Sequence, residues 1–542
     1  MHLMLDLIPT DVRKYVPQAL LFMVVCGAFF WRLDGALLWR DEATTASWGR
    51  ALSRSGSLLP SVWDGDQLVV QGSRGHDFNA DFRPAMQGWL QFYVSAIGFK
   101  LFGDGTWAAR FPFALIGAVG LFFFYRIYIR LNQGRAALYV AVATVASLPY
   151  LHYARQSRYY ALALVVSLAL IDSWLEVVRR RDGKGIAPFV KLGFCGVLLF
   201  LTNYLTFILL WSSLVVGLLV WRRKDLVVGL AATSAAVAAV VTPLLVSVHG
   251  SFIERAEIGK LAYLADYWMW FLDTLERANL LLPIVPLLVL GGYLAWRRKE
   301  SVAEEGDIVA WFWLTILTTA VVVVLLNKSN GFLRYTLHLI PIAILLITVH
   351  VVWVFRIWGR IPALLFAAVL LVYHDVSPVL SHSQSILKRQ LTRDDSFNGP
   401  MVAFLKERVT PGQRVAFVKN DIGMVAYFYH PEMKWCGLLE AHNPYNRPYR
   451  GKIAPEMFDD YESLDWVIVW GISGLPVRVE RGYDLIWSYR FGVGAPVDAV
   501  DGEIFTPTQY TITEAESGML PELSYFDFYK RAPAPRTTAR DL

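Results

Sequence analysis

The sequence predicts a polytopic α-helical membrane protein of about eleven transmembrane helices, closed by a small α/β domain outside the bilayer. Three observations carry that reading. Apolar runs recur from residue 17 to residue 375, Lys and Arg gather in short clusters between them, and beyond residue 375 the pattern changes to short strand-like segments. The composition agrees, with 542 residues that are 55% hydrophobic and only 18% charged, at a mean hydropathy of +0.41. The net charge of +6 does not mark a nucleic-acid binder, because the cations punctuate apolar runs instead of forming one face. Cys26, Cys195 and Cys436 are too few and too scattered for a disulfide framework or a zinc site.

The apolar segments fall near 17–38, 85–102, 111–131, 136–151, 161–178, 188–203, 205–221, 227–248, 280–296, 308–326, 336–355 and 361–375. The first, Pro17 to Leu38, lacks a small-residue cleavage site and reads as an uncleaved span. Basic clusters stand at Arg13-Lys14, Arg126/Arg130/Arg135, Arg179-Arg180-Arg181 with Lys184, Arg222-Arg223-Lys224, Arg297-Arg298-Lys299 and Arg356/Arg360. The positive-inside rule puts all of them in the cytoplasm, which requires an even number of crossings between neighbours.

Parity then fixes two details. Three runs separate Arg13-Lys14 from Arg126, so one does not cross; 85–102, with Gln87, Gln91 and Lys100, is the interfacial one. The stretch from Phe189 to Trp221 is too long for one crossing at about 1.5 Å per residue and must turn at Thr202-Asn203-Tyr204. The N-terminus is therefore expected inside, and 39–110, 152–160, 202–205, 249–279, 327–335 and 376–542 outside. The opposite topology, in which 85–102 spans, strands Arg13-Lys14 outside and moves Asp41 to the cytoplasm.

In the C-terminal region, Arg414 to Lys419, Asp465 to Trp470 and Asp484 to Arg490 read as strands bounded by Pro and Gly, and Phe397–Arg408 as a helix. The domain expectation is 1–375 for the transmembrane unit, with 39–110 as its first outer loop, 376–530 for the α/β unit, and 531–542 as a disordered tail.

The chemistry sits on the outer loops. Asp41 and Glu42 follow the first span directly, and Arg155, Arg158, Lys328, Arg334 and Tyr335 occupy outer turns where the positive-inside bias leaves cations scarce. Cations in such places need a compensating partner, and a phosphate at the interface supplies one through charge-assisted bonds. Two plainer uses compete: the acids can charge the first turn of a helix over Ala43 to Leu52, and the arginines can snorkel to headgroups or pair with loop carboxylates. As a set, an acid, several cations and an apolar slot describe glycosyl transfer from a lipid-phosphate sugar.

An ordered series of motifs resembles a known family. Trp39-Arg-Asp-Glu-Ala-Thr-Thr-Ala46, Asp81-Phe-Arg-Pro84, Leu101-Phe-Gly103, Arg110 to Gly117, Tyr153-Ala-Arg-Gln-Ser-Arg-Tyr-Tyr-Ala161, Leu201-Thr-Asn-Tyr204 and Arg334-Tyr335 with Pro341 follow one another along roughly residues 15–375. The series is similar to the GT-C membrane glycosyltransferases of the protein O-mannosyltransferase, aminoarabinose transferase and rhizobial lipopolysaccharide glycosyltransferase group.

The resemblance implies a GT-C fold and a multi-pass protein of the bacterial inner (plasma) membrane, with a cytoplasmic N-terminus and a periplasmic C-terminal domain. It implies transfer of a sugar from a polyprenyl-phosphate donor to an envelope glycan, lipid or protein acceptor, with membrane lipid and no nucleic acid among its partners. Asp41 matches the family's general base and Glu42 its partner; Arg83, Arg110, Arg155, Arg158, Tyr159, Lys328, Arg334 and Tyr335 are expected around the donor phosphate.

Departures from the aminoarabinose transferases argue against a bound divalent metal, since Arg158-Tyr159 replaces an aspartate-proline and Phe82 replaces an acid; His76, Asp77 and Asp81 are the remaining ligand types nearby. The competing function is a transporter or flippase of a lipid-linked precursor, which would place its ionisable residues near mid-span instead of in loops.

Overall fold

The computed structural model describes, with short interruptions, residues 27–131, 148–179, 185–253, 264–297, 303–326, 333–376, 398–435, 464–470, 483–490 and 525–531. The first span is therefore described only from Gly27 onward, where a helical stretch gives way to turns at Trp31–Ala36. Helix α1 (Arg40–Ser55) follows at once. Asp41 and Glu42 occupy its first turn, where carboxylates suit the positive end of the helix dipole, and Gly56 ends it at φ +67°.

A two-residue hairpin, β1 (Trp63–Asp64) with β2 (Gln67–Leu68), leads toward α2 (Leu90–Phe102). With 13 residues, α2 rises about 20 Å, short of the roughly 30 Å of a hydrocarbon core. Helix α1 packs against α2 through Trp48 on Phe92 and through Gly49, where a Cβ would lie 2.5 Å from Ser95 Cβ.

Helix α3 (Thr106–Arg130) is followed by α4 (Leu148–Ala154), α5 (Tyr160–Arg179), α6 (Ala187–Thr202) and α7 (Tyr204–Trp221). The long apolar stretch breaks at Asn203, as its length requires, and Asn203 Oδ1 accepts the Thr206 N–H at 2.8 Å to start α7. Gly88 fits beneath this turn. A Cβ there would meet the Leu201 and Thr202 carbonyl oxygens at 2.3 Å, so only glycine lets the α2 segment come so close.

The remaining helices are α8 (Asp225–Ile253), α9 (Leu264–Leu281), α10 (Ile284–Arg297), α11 (Ala303–Leu325), α12 (Leu339–Trp358) and α13 (Arg360–Val376). A 3-10 turn, Leu333–Thr336, precedes α12. Among the described residues, five helical stretches are long and apolar enough to cross a membrane: Thr106–Arg130, Tyr160–Arg179, Asp225–Pro243, Glu305–Leu325 and Leu339–Trp358. Shorter apolar helices such as Ala187–Thr202 accompany them. Helix α5 is buried along nearly its whole length, whereas Phe122, Val190 and Phe194 on its neighbours stand exposed, as lipid-facing residues do.

The span over 161–178 nevertheless carries Asp172 and Glu176. Arg130 pairs with Asp172 at 2.7 Å and with Glu176 at 3.0 Å, and Lys191 reaches the two at 3.1 and 3.2 Å. Arg126 adds a third cation, 3.1 Å from Asp172. Neutralisation by neighbouring helices is what lets these acids lie in an apolar segment.

The C-terminal unit comprises α14 (Asn398–Arg408), β3 (Arg414–Phe417), α15 (Asn420–Tyr429), β4 (Lys434–Trp435), β5 (Trp466–Trp470), β6 (Tyr483–Arg490) and β7 (Tyr525–Arg531). The strands form one sheet in the order β4-β3-β5-β7-β6, parallel from β4 through β3 to β5 and antiparallel thereafter. The unit shares a hydrophobic core with α1 and α2: Met401, Leu405, Met424 and Phe428 pack with Leu38, Trp48 and Phe92.

Polar contacts tie the same interface. Buried Arg50 donates to the Phe428 carbonyl at 2.9 Å and lies 4.9 Å over its ring. Tyr427 donates to Asp64 at 2.8 Å, and the Tyr429 hydroxyl accepts the Leu38 N–H at 2.8 Å. Burial pushes both phenols well above the usual tyrosine range.

Candidate active site

The first turn of α1, the Gln156–Tyr159 loop before α5, and the 3-10 turn before α12 meet at Asp41. Its side chain is 8% exposed. One carboxylate oxygen, Oδ2, lies 3.0 Å from Arg334 Nη1 and 3.4 Å from Arg158 Nη2. Among the described residues, two guanidinium groups thus share this one carboxylate in a place largely closed to water, an excess of cation that favours an anion.

Aromatic rings back both cations. The Arg158 guanidinium lies 5.5 Å over the Tyr159 ring, and that of Arg334 lies 5.1 Å over the Tyr335 ring. Arg334 Nη2 also donates to the Tyr335 hydroxyl at 3.3 Å, and Tyr159 donates to the Arg334 carbonyl at 3.4 Å. Burial raises the Tyr159 phenol far above its ordinary value, against the opposing pull of Arg334 and Arg158, so it stays a donor.

Glu42, one residue from Asp41, has a different surrounding. It is fully buried, and Arg110 grips it bidentately, Nε to Oε1 at 2.8 Å and Nη2 to Oε2 at 2.5 Å. Oε1 also accepts the Ser157 N–H at 2.7 Å, and Oε2 the Trp39 N–H at 3.4 Å. Arg110 spends its other N–H groups on the carbonyls of Leu33, Ala36 and Leu37 at 2.8, 2.8 and 3.1 Å. The pair therefore clamps the end of the first span, α1, α3 and the Ser157 loop together. Both side chains are thereby engaged by the protein's own groups.

Arg155 serves the same clamp. It donates to the carbonyls of Ala28 and Trp31, the latter at 2.7 Å, and burial, with the charge of Arg110 adding to it, lowers its pKa to about 10. Behind it, Trp39 Nε1 donates to Gln156 Oε1 at 3.2 Å, and Gln156 Nε2 meets His152 Nε2 at 2.9 Å. Arg83 lies apart from the Asp41 cluster, donating to the Leu59 and Pro60 carbonyls at 3.1 and 3.0 Å. Lys328, like His76 and Asp77, lies outside the described residues. Among the described residues, no three His, Cys, Asp or Glu side chains converge in a group that could hold a metal ion.

Of the residues singled out in the sequence, Asp41, Arg158, Tyr159, Arg334 and Tyr335 come together. Three further residues join them: Thr45, Gln87 and Gln91, from α1 and the start of α2. Arg158 Nη1 donates to Gln87 Oε1 at 2.9 Å, to Thr45 Oγ1 at 3.0 Å and to the Asp41 carbonyl at 3.2 Å. In the sequence Gln87 and Gln91 show only as polar residues in an otherwise apolar segment, with Gln87 lying ahead of α2.

Comparison with known proteins fits this picture. Residues 84–249 match the family model for dolichyl-phosphate-mannose-protein mannosyltransferase. The structure is similar to that of ArnT from Cupriavidus metallidurans bound to undecaprenyl phosphate, with 15% identity, a TM-score of 0.54, and 87% of this chain and 96% of that chain covered. ArnT from the same organism in the apo state matches at 16% identity and the same TM-score, over 84% of this chain and 93% of that one. An apo oligosaccharyltransferase from Archaeoglobus fulgidus is more distant, at 11% identity, a TM-score of 0.49, and coverage of 97% and 90%. Curated protein sequences give no match. The chain thus shares the GT-C fold of ArnT, and its residues 84–249 carry the mannosyltransferase family match.

Proposed function

We propose that the protein moves a sugar from a polyprenyl-phosphate donor to an envelope glycan, lipid or protein on the extracytoplasmic side of the bacterial inner membrane. The observation that carries this is the meeting of Asp41 with Arg158 and Arg334 in one buried, net cationic place. In the reaction, Asp41 takes the proton of an acceptor hydroxyl as that oxygen bonds to the anomeric carbon. The bond from that carbon to the phosphate oxygen breaks, and polyprenyl phosphate leaves with the electron pair. Arg158 and Arg334 stabilise the charge that develops on it, while Tyr159 and Tyr335 hold the two cations in place.

Glu42, Arg110 and Arg155 set the position of this machinery from behind, because their polar groups already hold the backbone around it. The ArnT structure with undecaprenyl phosphate bound supports a lipid-phosphate ligand for the fold. Sugar transfer from a polyprenyl-phosphate donor, measured in membranes carrying wild type or Asp41→Asn, tests the reading. Transfer by wild type alone is expected, and equal transfer by both removes Asp41 from the mechanism.

A further inference from the structure

Arg158 and three neighbouring side chains close into a ring. Arg158 Nη1 donates to Thr45 Oγ1 at 3.0 Å, Thr45 donates to Gln91 Oε1 at 3.1 Å, Gln91 Nε2 donates to Gln87 Oε1 at 3.3 Å, and Arg158 Nη1 closes it on Gln87 Oε1 at 2.9 Å. Gln91 is saturated: its oxygen also accepts the Tyr159 N–H at 3.2 Å, and its nitrogen also donates to the Gly88 carbonyl at 3.0 Å. The Gln87 oxygen, by contrast, takes two N–H donors, one of them cationic. That fixes which end of the Gln87 amide points into the ring, since turning it over would set N–H against N–H.

The Nε2 of Gln87 must then face away from the ring. It has no acceptor among the described residues, and Gln87 is only half-buried where Gln91 is fully enclosed. A rigidly held amide N–H2 therefore stands beside Arg158 on the accessible side, next to the place where two cations outnumber one carboxylate.

We propose that Gln87 is a donor-substrate-binding residue, its Nε2 donating a hydrogen bond to a phosphate oxygen of the polyprenyl-phosphate donor held at Arg158. This rests on the donor reading above. The neutral amide adds a directional contact to a site otherwise built from charges, and the ring settles its direction before substrate arrives.

The test measures binding of undecaprenyl phosphate and of undecaprenol to purified full-length protein. Gln87→Ala removes the amide. Gln87→Glu keeps an oxygen for Arg158 and Gln91 but turns the exposed nitrogen into a second oxygen. The expected order of affinity for undecaprenyl phosphate is wild type, then Ala lower by about fivefold, then Glu lower by about tenfold or more, the range of one hydrogen bond to a charged group. Undecaprenol binding is expected to be unchanged in both variants. The inference is overturned if both variants bind the phosphate within twofold of wild type, if both lipids are lost together, or if Ala loses as much as Glu, which leaves Gln87 only a support for Arg158. A wild type that does not prefer undecaprenyl phosphate to undecaprenol defeats the donor reading itself.

Discussion

Replacing Asp41 by Asn has two opposite consequences, and their combination is specific to the site described. In the resting protein Asp41 occupies the two cations that the donor phosphate needs, at 3.0 and 3.4 Å. Each contact corresponds to about 5 kcal/mol of Coulomb attraction at an effective dielectric constant near 20. Desolvation offsets most of that, but stripping the carboxylate from two buried guanidinium groups still leaves about 3–5 kcal/mol of destabilisation. Asp41→Asn is therefore expected to lower the thermal midpoint in detergent and to recover it when undecaprenyl phosphate is added. Because the phosphate no longer competes with a carboxylate, its affinity rises by about tenfold, roughly 1.4 kcal/mol. Turnover falls by about 10²- to 10⁴-fold, the usual contribution of a general base. Titration calorimetry with undecaprenyl phosphate and a transfer assay read the two quantities separately. Weaker phosphate binding by the variant, or transfer at the wild-type rate, would refute the reasoning.

Three further outcomes follow from the same geometry. Arg334→Ala and Arg158→Ala each weaken undecaprenyl phosphate binding by about 10- to 100-fold, as loss of a charge-assisted contact does, and binding titrations check this. Glu42→Gln leaves buried Arg110 without its counter-charge and costs about 3–5 kcal/mol of stability, read as a lower melting temperature and reduced yield of folded protein. The Tyr427 and Tyr429 phenols are raised in the folded protein, so their contribution is complete below pH about 10 and is lost as pH climbs beyond it. Melting curves across that range should steepen for wild type and flatten for the Tyr427→Phe, Tyr429→Phe double variant.

Much of the fold was legible because it depends on local rules. The length of 189–221 demands the break found at Asn203, and the 85–102 segment yields a helix of only 13 residues. Alternation and Gly or Pro boundaries likewise located β3, β5 and β6 close to their observed limits. The shared core of α1 with α15 was not legible, since nothing in either helix names its distant partner.

The site divides the same way. Topology brings Asp41, Arg158 and Arg334 to one side of the membrane on paper, and the structure joins them. Adjacent residues in one motif can still face different ways: Asp41 looks toward the arginine pair, while Glu42, one position along the helix, turns back to Arg110. Gln87 and Gln91 entered the sequence argument only as polarity that disqualifies a span. Their hydrogen-bond ring depends on Gly88 admitting the segment against the α6–α7 turn, a tertiary contact that no local pattern encodes.

The most direct measurement is a cryo-electron-microscopy map of the protein with undecaprenyl phosphate. Phosphate density is expected between Arg158 and Arg334, with its oxygens about 2.7–2.9 Å from their guanidinium nitrogens and the Asp41 carboxylate displaced from one or both. Phosphate density elsewhere, with Asp41 still bridging the two arginines, would contradict the account.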